Sequence, residues 1–211
     1  QNKELVMNVN CNALRSISKL ANQFNSFLIT ISTDQVFDGS KGNYKESDKI
    51  CPINYYGKTK AEGEKIVQSI SKKYCIIRTS MLWGKNKTRN TFSEFILDEV
   101  KNKKELKLIT DQFTCPTYLE NFCEMFTEII KREILGIIHL SGPEKLSRYD
   151  FGIKILKSTN NKKIIASNRN EFNFGKHMPE DTSLNTDKVR KLLRCNPEEV
   201  NISIEKYLKN N

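Results

Sequence analysis

The sequence predicts an α/β fold built on a parallel sheet with helices on both faces. Three observations carry that expectation. Residues 27–31 form a short continuous apolar run, the mark of a strand buried on both faces. Stretches with apolar residues three and four apart alternate with such runs along the chain. The connections between them carry Gly, Pro, Asn and Asp. Alternation of this kind favours parallel strands joined by helical crossovers. With 211 residues, the chain can hold one good core or one and a half domains.

Val9, Ala13, Ile17, Leu20 and Phe24 recur at helical spacing, so the chain opens on an amphipathic helix. The strand at 27–31 ends in Ser32, Thr33 and Asp34. Loop chemistry fills 38–43, and Pro52 precedes a long helix over about 54–71 that contains Tyr56 and Lys60. Residues 74–79 are the next strand, and 80–90 a loop. Phe92, Phe95, Ile96 and Val100 mark a helix, and 106–109 a strand. The segment 111–118, with Pro116, reads as a turn-rich loop. Phe122, Met125, Phe126, Ile129 and Ile130 give a further helical face. A strand over 136–140 ends at Ser141-Gly142-Pro143. A helix over 148–157, a short strand over 163–166, a loop over 168–181 and two helices near 186–193 and 197–208 complete the chain.

Composition narrows the classes of function. The formal charge is +10, with a mean hydropathy of -0.57. The lysines are scattered without interleaved aromatics, so a solvated surface is expected and not a nucleic-acid platform. No apolar run approaches the roughly 18 residues of a membrane span. Six cysteines without a C-x-x-C pair are read as reduced, partly buried thiols of a cytoplasmic protein. Two histidines, His139 and His177, are too few for a zinc site, and no metal is expected.

Ligands of parallel sheets bind beyond the carboxyl ends of the strands. Thr33 and the loops after Thr79 and Leu140 fall there. On a helix, Tyr56 and Lys60 share a face at i, i+4. An ammonium beside a phenol favours phenolate, which would bring Tyr56 from near 10 toward the working pH. Lys60 can also hold ribose hydroxyls, and Thr33 places a hydroxyl near a reacting carbonyl. Trp83 is a candidate for lining a sugar pocket or for packing. Lys85, Lys87 and Arg89 are candidates for a diphosphate or for a solvated charge run. Cys115 lies near the expected site, with nothing beside it in sequence that suggests thiol catalysis.

The segments Ile31-Ser32-Thr33-Asp34-Gln35-Val36-Phe37-Asp38-Gly39 and Pro52-Ile53-Asn54-Tyr55-Tyr56-Gly57-Lys58-Thr59-Lys60-Ala61-Glu62-Gly63-Glu64 resemble motifs of the dTDP-4-dehydrorhamnose reductases, members of the extended short-chain dehydrogenase/reductases. Arg78-Thr79-Ser80, Asp111-Gln112 with Pro116-Thr117, the stretch from Gly136 to Gly142, and Ser183-Leu184-Asn185 through Lys188 resemble four further motifs in the same order. The resemblance implies a Rossmann-like doubly wound sheet, occupying 1–142 with substrate-domain excursions near 80–118. It places a small sugar-nucleotide-binding subdomain mainly in 143–211. It implies reduction of the C4 ketone of a dTDP-sugar by NADPH or NADH, with Tyr56 as the acid, Lys60 tuning it and Thr33 assisting. It assigns Ile31, Tyr56 and Lys60 to the cofactor, and Thr33, Asp34 and Met81 to the substrate. A homodimer is a possible assembly; nucleic acid and membrane are not expected partners. Two other readings stay open: another nucleotide-sugar reductase or epimerase, and a non-catalytic binding subunit similar to the regulatory beta subunit of methionine adenosyltransferase.

Gln35 stands where the family usually has Tyr, Met81 where a Trp beside the sugar is usual, Thr114 at a loop glycine, and Met178 where Arg precedes Pro. These departures put the sugar pocket in question. No G-x-x-G-x-x-G phosphate loop occurs in the sequence. The chain is therefore expected to be N-terminally truncated, to bind a dinucleotide poorly by itself, and to leave part of its sheet uncovered.

Overall fold

The computed structural model describes residues 2–86, 90–102, 105–157, 164–173 and 177–209. Helix α1 (Lys3–Met7) leads through a π-helical turn at Asn8–Asn12 into α2 (Ala13–Gln23). Strand β1 (Leu28–Thr33) runs into a 3-10 turn at Asp34–Val36. Next come α3 (Tyr55–Ile70), β2 (Tyr74–Thr79), the two-residue β3 (Leu82–Trp83), α4 (Phe92–Lys101) and β4 (Leu106–Ile109). Two more two-residue strands, β5 (Phe113–Thr114) and β6 (Thr117–Tyr118), precede α5 (Leu119–Arg132) and β7 (Gly136–His139). The rest is β8 (Leu146–Ser147), α6 (Arg148–Leu156), β9 (Ile164–Ser167), a 3-10 turn at Arg169–Glu171, α7 (Asp187–Leu192) and α8 (Val200–Lys209).

The expected parallel sheet is formed by β1, β2 and β7 in that spatial order. Ser32 lies opposite Arg78, Thr33 opposite Thr79, and Arg78 opposite His139. Because alternate side chains point to opposite faces, Cys75 and Ile77 meet Met125 and Ile129 of α5 and Val189 of α7 in one core. Arg78 projects to the other face and meets Glu64 of α3. A second core gathers Trp83, Ile96, Leu106 and Leu108 with Phe151, Ile155, Val200 and Ile204. It unites the stretch around 83–108 with the C-terminal helices and packs beside the parallel pair β4–β9.

Three expectations need correction. The opening helix forms, but its apolar stripe is not the buried face: Val9 is 60% exposed, Leu20 52% and Phe24 70%. Cys11 and Ser18 are buried instead. The backbone at Asn10 and the Leu14 side chain approach α3 at Gly63, where an added Cβ would fall 2.4 Å from the Asn10 carbonyl oxygen. Close helix contact at a glycine decided which side turned inward. The second correction concerns the regions read as loops at 80–90 and 111–118. They hold β3, β5 and β6, whose partners are each other or the distant β8. The third concerns the strand expected over 163–166, which is described as Ile164–Ser167; Lys163 lies outside the described residues, as do Lys87 and Arg89.

Candidate active site

Asn54 caps α3, its Oδ1 accepting from the Gly57 amide at 2.8 Å. Its Nδ2 donates to Gln35 Oε1 at 2.9 Å. Gln35, one of the residues that departs from the family pattern, thus braces the helix start that carries Tyr56. Gly57 lets this helix start approach the strand end: a Cβ there would lie 2.1 Å from the Gln35 carbonyl oxygen. Gly57→Ala is expected to cost about 1–3 kcal/mol by overpacking against backbone. A urea-unfolding midpoint equal to that of the parent chain would refute the close-approach argument.

Thr33 ends β1. Its hydroxyl donates to Asp34 Oδ1 at 3.0 Å and accepts from the Gln35 amide at 3.2 Å. Asp34 is buried, and its Oδ2 accepts from Ser80 at 2.7 Å and from Thr182 at 2.6 Å. Burial pushes the Asp34 carboxyl above its ordinary value, and the Thr182, Ser80 and Thr33 hydroxyls oppose that push. The carboxylate expected to touch a sugar is thus closed in by three hydroxyls. In this geometry it ties the ends of β1 and β2 to the segment around 182.

Tyr56 is 44% exposed. Partial burial raises its phenol above the ordinary value of 10.0; the Thr33 hydroxyl works against this and the Asp34 charge adds to it. The expected lowering by Lys60 is not found. Burial depresses the Lys60 ammonium itself, and the acids that act on it are Glu64 and Cys11. The electrostatic partner of Lys60 on its own helix, Glu64, lies one turn further along. Tyr56 is therefore built to stay protonated at neutral pH, as a donor requires.

Ile31 lies on β1 and is 40% exposed. Met81, half-buried, follows Ser80; its carbonyl accepts from the Thr117 amide at 2.9 Å, and its sulfur lies 4.0 Å from Arg148 Nη1. Cys115 is buried and its thiol is pushed up to about 12, chiefly by desolvation, so it stays a thiol. Trp83 is fully buried among Tyr118, Phe151 and Tyr207, and it also borders a cavity with Leu82, Phe92 and Leu119. His139 is fully buried on β7, and burial pushes it down to about 3. Lys85 is exposed. Among the described residues no group of three or more His, Cys, Asp or Glu side chains is placed to hold a metal ion, and no helix is long and apolar enough to cross a membrane.

Sequence reasoning gave no role to Ser80, Gln112, Arg148, Thr182 or Glu64. Glu64 carried a usable signal: it continues the Tyr56–Lys60 spacing by another four residues. The others reach the site through long-range contacts that spacing does not encode.

A protonated phenol and a neighbouring hydroxyl thus meet at the carboxyl end of a parallel sheet. The family model described as the RmlD substrate binding domain matches residues 1–211. The chain belongs to this family. Its fold is accordingly of the Rossmann type. A dTDP-4-dehydrorhamnose reductase of Aggregatibacter actinomycetemcomitans is 36% identical over 164 residues, covering 74% of this chain and 55% of that enzyme. The chain thus spans little more than half the length of that relative. The crystal structure of the dTDP-4-dehydrorhamnose reductase of Bacillus anthracis in complex with NADP superposes with a TM-score of 0.92 at 26% identity, covering 99% of this chain and 74% of that one. Methionine adenosyltransferase 2 subunit beta of Pongo abelii is 30% identical over 159 residues, covering 72% of this chain and 48% of that protein.

Proposed function

We propose that this family member takes part in the NAD(P)H-dependent reduction of the 4-keto group of a dTDP-sugar, dTDP-4-dehydrorhamnose to dTDP-rhamnose. The observation that carries this is the meeting of Thr33 and Tyr56 at the carboxyl end of β1, with Lys60 one turn further along the same helix, in a chain matched by the family model along its whole length. The Bacillus anthracis relative in complex with NADP supports the cofactor class. The half-exposed phenol of Tyr56, the ammonium of Lys60 and the exposed Ile31 fit the nicotinamide and ribose end of such a cofactor. No glycine-rich phosphate loop occurs within the 211 residues. When bound, the nicotinamide supplies the hydride. Tyr56 gives its proton to the developing alkoxide at O4, Thr33 steadies the phenol by hydrogen bonding, and Lys60 holds ribose. Asp34 fixes Thr33 and Ser80, and Met81 borders the sugar.

The division of labour follows the cores around Met125 and around Trp83. Residues 1–142 supply the cofactor side, except near 80–118, which joins 143–211 in the core around Trp83 and Phe151. Val189 and Leu193, packing under the sheet, and Leu184, packing with Val36, Phe37 and Ala61, are counter-examples. The full-length gene product, given NADPH and dTDP-4-dehydrorhamnose, is expected to consume NADPH and form dTDP-rhamnose in equal amounts. Binding of both compounds without product would overturn this reading. It would favour a non-catalytic binding subunit, the alternative supported by the likeness to methionine adenosyltransferase 2 subunit beta.

A further inference from the structure

We propose that Arg148 is the anion-recognising residue of the substrate site, its guanidinium receiving a diphosphate oxygen of the nucleotide-sugar; this rests on the nucleotide-sugar reading above. Arg148 opens α6, where the Ser147 hydroxyl accepts from the Asp150 amide at 3.0 Å and donates to Asp150 Oδ2 at 2.6 Å. That reciprocal cap fixes the backbone from which the side chain projects. The guanidinium lies over the Phe92 ring, 5.1 Å from its centroid, and its Nε donates to Gln112 Oε1 at 3.0 Å. Gln112 is itself buried. Nη1 meets only the Met81 sulfur, at 4.0 Å, and Nη2 has no hydrogen-bond partner among the described residues.

Arg148 is half-buried, and no acid among the described residues pairs with it directly. Burial works against the Arg148 charge, and the acid that acts on it is Asp34. No carboxylate among the described residues forms an ion pair with Arg148. The Asp34 oxygens are already taken by the Thr33, Ser80 and Thr182 hydroxyls. The fully buried Arg78, by contrast, is paired with Glu64 at 2.7 Å. Arg148 instead holds Nη2 open beside Met81, which follows the Thr79-Ser80 end of β2. A planar guanidinium fork suits the paired oxygens of phosphate or carboxylate. Met81 sets a compliant thioether beside the guanidinium.

The test is titration calorimetry on the full chain and on Arg148→Gln, with thymidine, dTDP, UDP-glucose, UDP-glucuronate and inorganic pyrophosphate. If a phosphate oxygen is the ligand, Arg148→Gln weakens dTDP and pyrophosphate by about tenfold to a hundredfold and leaves thymidine unchanged. If dTDP is unchanged and a parent-chain preference for UDP-glucuronate over UDP-glucose disappears in the variant, the guanidinium reads a sugar carboxylate, and the diphosphate assignment is overturned. Arg148→Lys recovers part of either loss. Equal binding of every probe by parent and variant overturns the proposal while leaving the nucleotide-sugar reading intact. So does a parallel loss of thymidine accompanied by a lower Tm, which marks a packing role. Pyrophosphate binding that depends on Arg148, in a chain that binds no nucleotide, keeps the anion site and removes the nucleotide-sugar reading. A chain that binds none of the five probes overturns the proposal.

Discussion

Tyr56→Phe is expected to lower the turnover of a dTDP-4-keto sugar by about 10²–10⁴-fold, the usual contribution of a positioned general acid. The substitution removes one oxygen and keeps the ring, so the helix and its Asn54 cap should be undisturbed. The affinity for dTDP should hold while kcat falls, because the phenol acts on the reacting oxygen and not on the nucleotide. The pH dependence follows from the direction of the Tyr56 shift. Burial and the Asp34 charge raise the phenol above 10.0. The active form is the protonated one, present below that raised value and lost as pH rises through it. Rate should therefore be flat in this group through neutral pH and fall only in the alkaline range. Full turnover by the Phe variant would remove Tyr56 from the chemistry. An acid limb that vanishes in Tyr56→Phe would contradict the direction assigned to the shift.

That direction is the point at which local pattern and structure part most clearly. The i, i+4 spacing of Tyr56 and Lys60 puts both on one helix face, but the groups that act on Lys60 are Glu64 and Cys11. Spacing holds no information on burial, and burial decides both shifts. The parallel sheet was legible because β1 and β2 are continuous runs whose burial on both faces requires apolar residues. The two-residue strands were not, because Phe113 owes its pairing to Ser147 and Thr117 to Leu82. The opening helix was legible as a helix and misread as to its inner side, since Gly63 on another element selected the packing face. Thr33 and Asp34 announced themselves at a strand end. Thr182 reaches Asp34 from 148 residues away, through a fold that only the whole chain defines.

Glu64→Gln is expected to destabilise the chain by about 3–5 kcal/mol, a large part of the 5–15 typical of a domain. The Glu64 and Arg78 side chains are 2% and 3% exposed. Glu64 accepts from Arg78 Nη2 at 2.7 Å, from Nε at 3.0 Å, and from Ser32 Oγ at 2.5 Å. Arg78 also lies over the Phe37 ring at 5.2 Å and donates to His139 Nε2 at 3.4 Å. One carboxylate therefore fastens α3 to both β1 and β2, on the helix that carries Tyr56 and Lys60. The amide of Gln keeps the shape but leaves a buried guanidinium without its countercharge, and that uncompensated charge is the source of the cost. Removing both charges avoids it, so the double variant Glu64→Leu/Arg78→Met should recover most of the lost stability. The exposed pair Lys41–Asp48 supplies the contrast, with side chains 54% and 24% exposed. There Asp48→Asn should cost no more than about 1 kcal/mol, because water screens the pair. Urea unfolding of the three variants decides the matter. If Glu64→Gln costs no more than Asp48→Asn, the buried pair is not what clamps α3 to the sheet, and the placement of Tyr56 against Thr33 must rest on the Asn54 cap and the Gly57 contact alone.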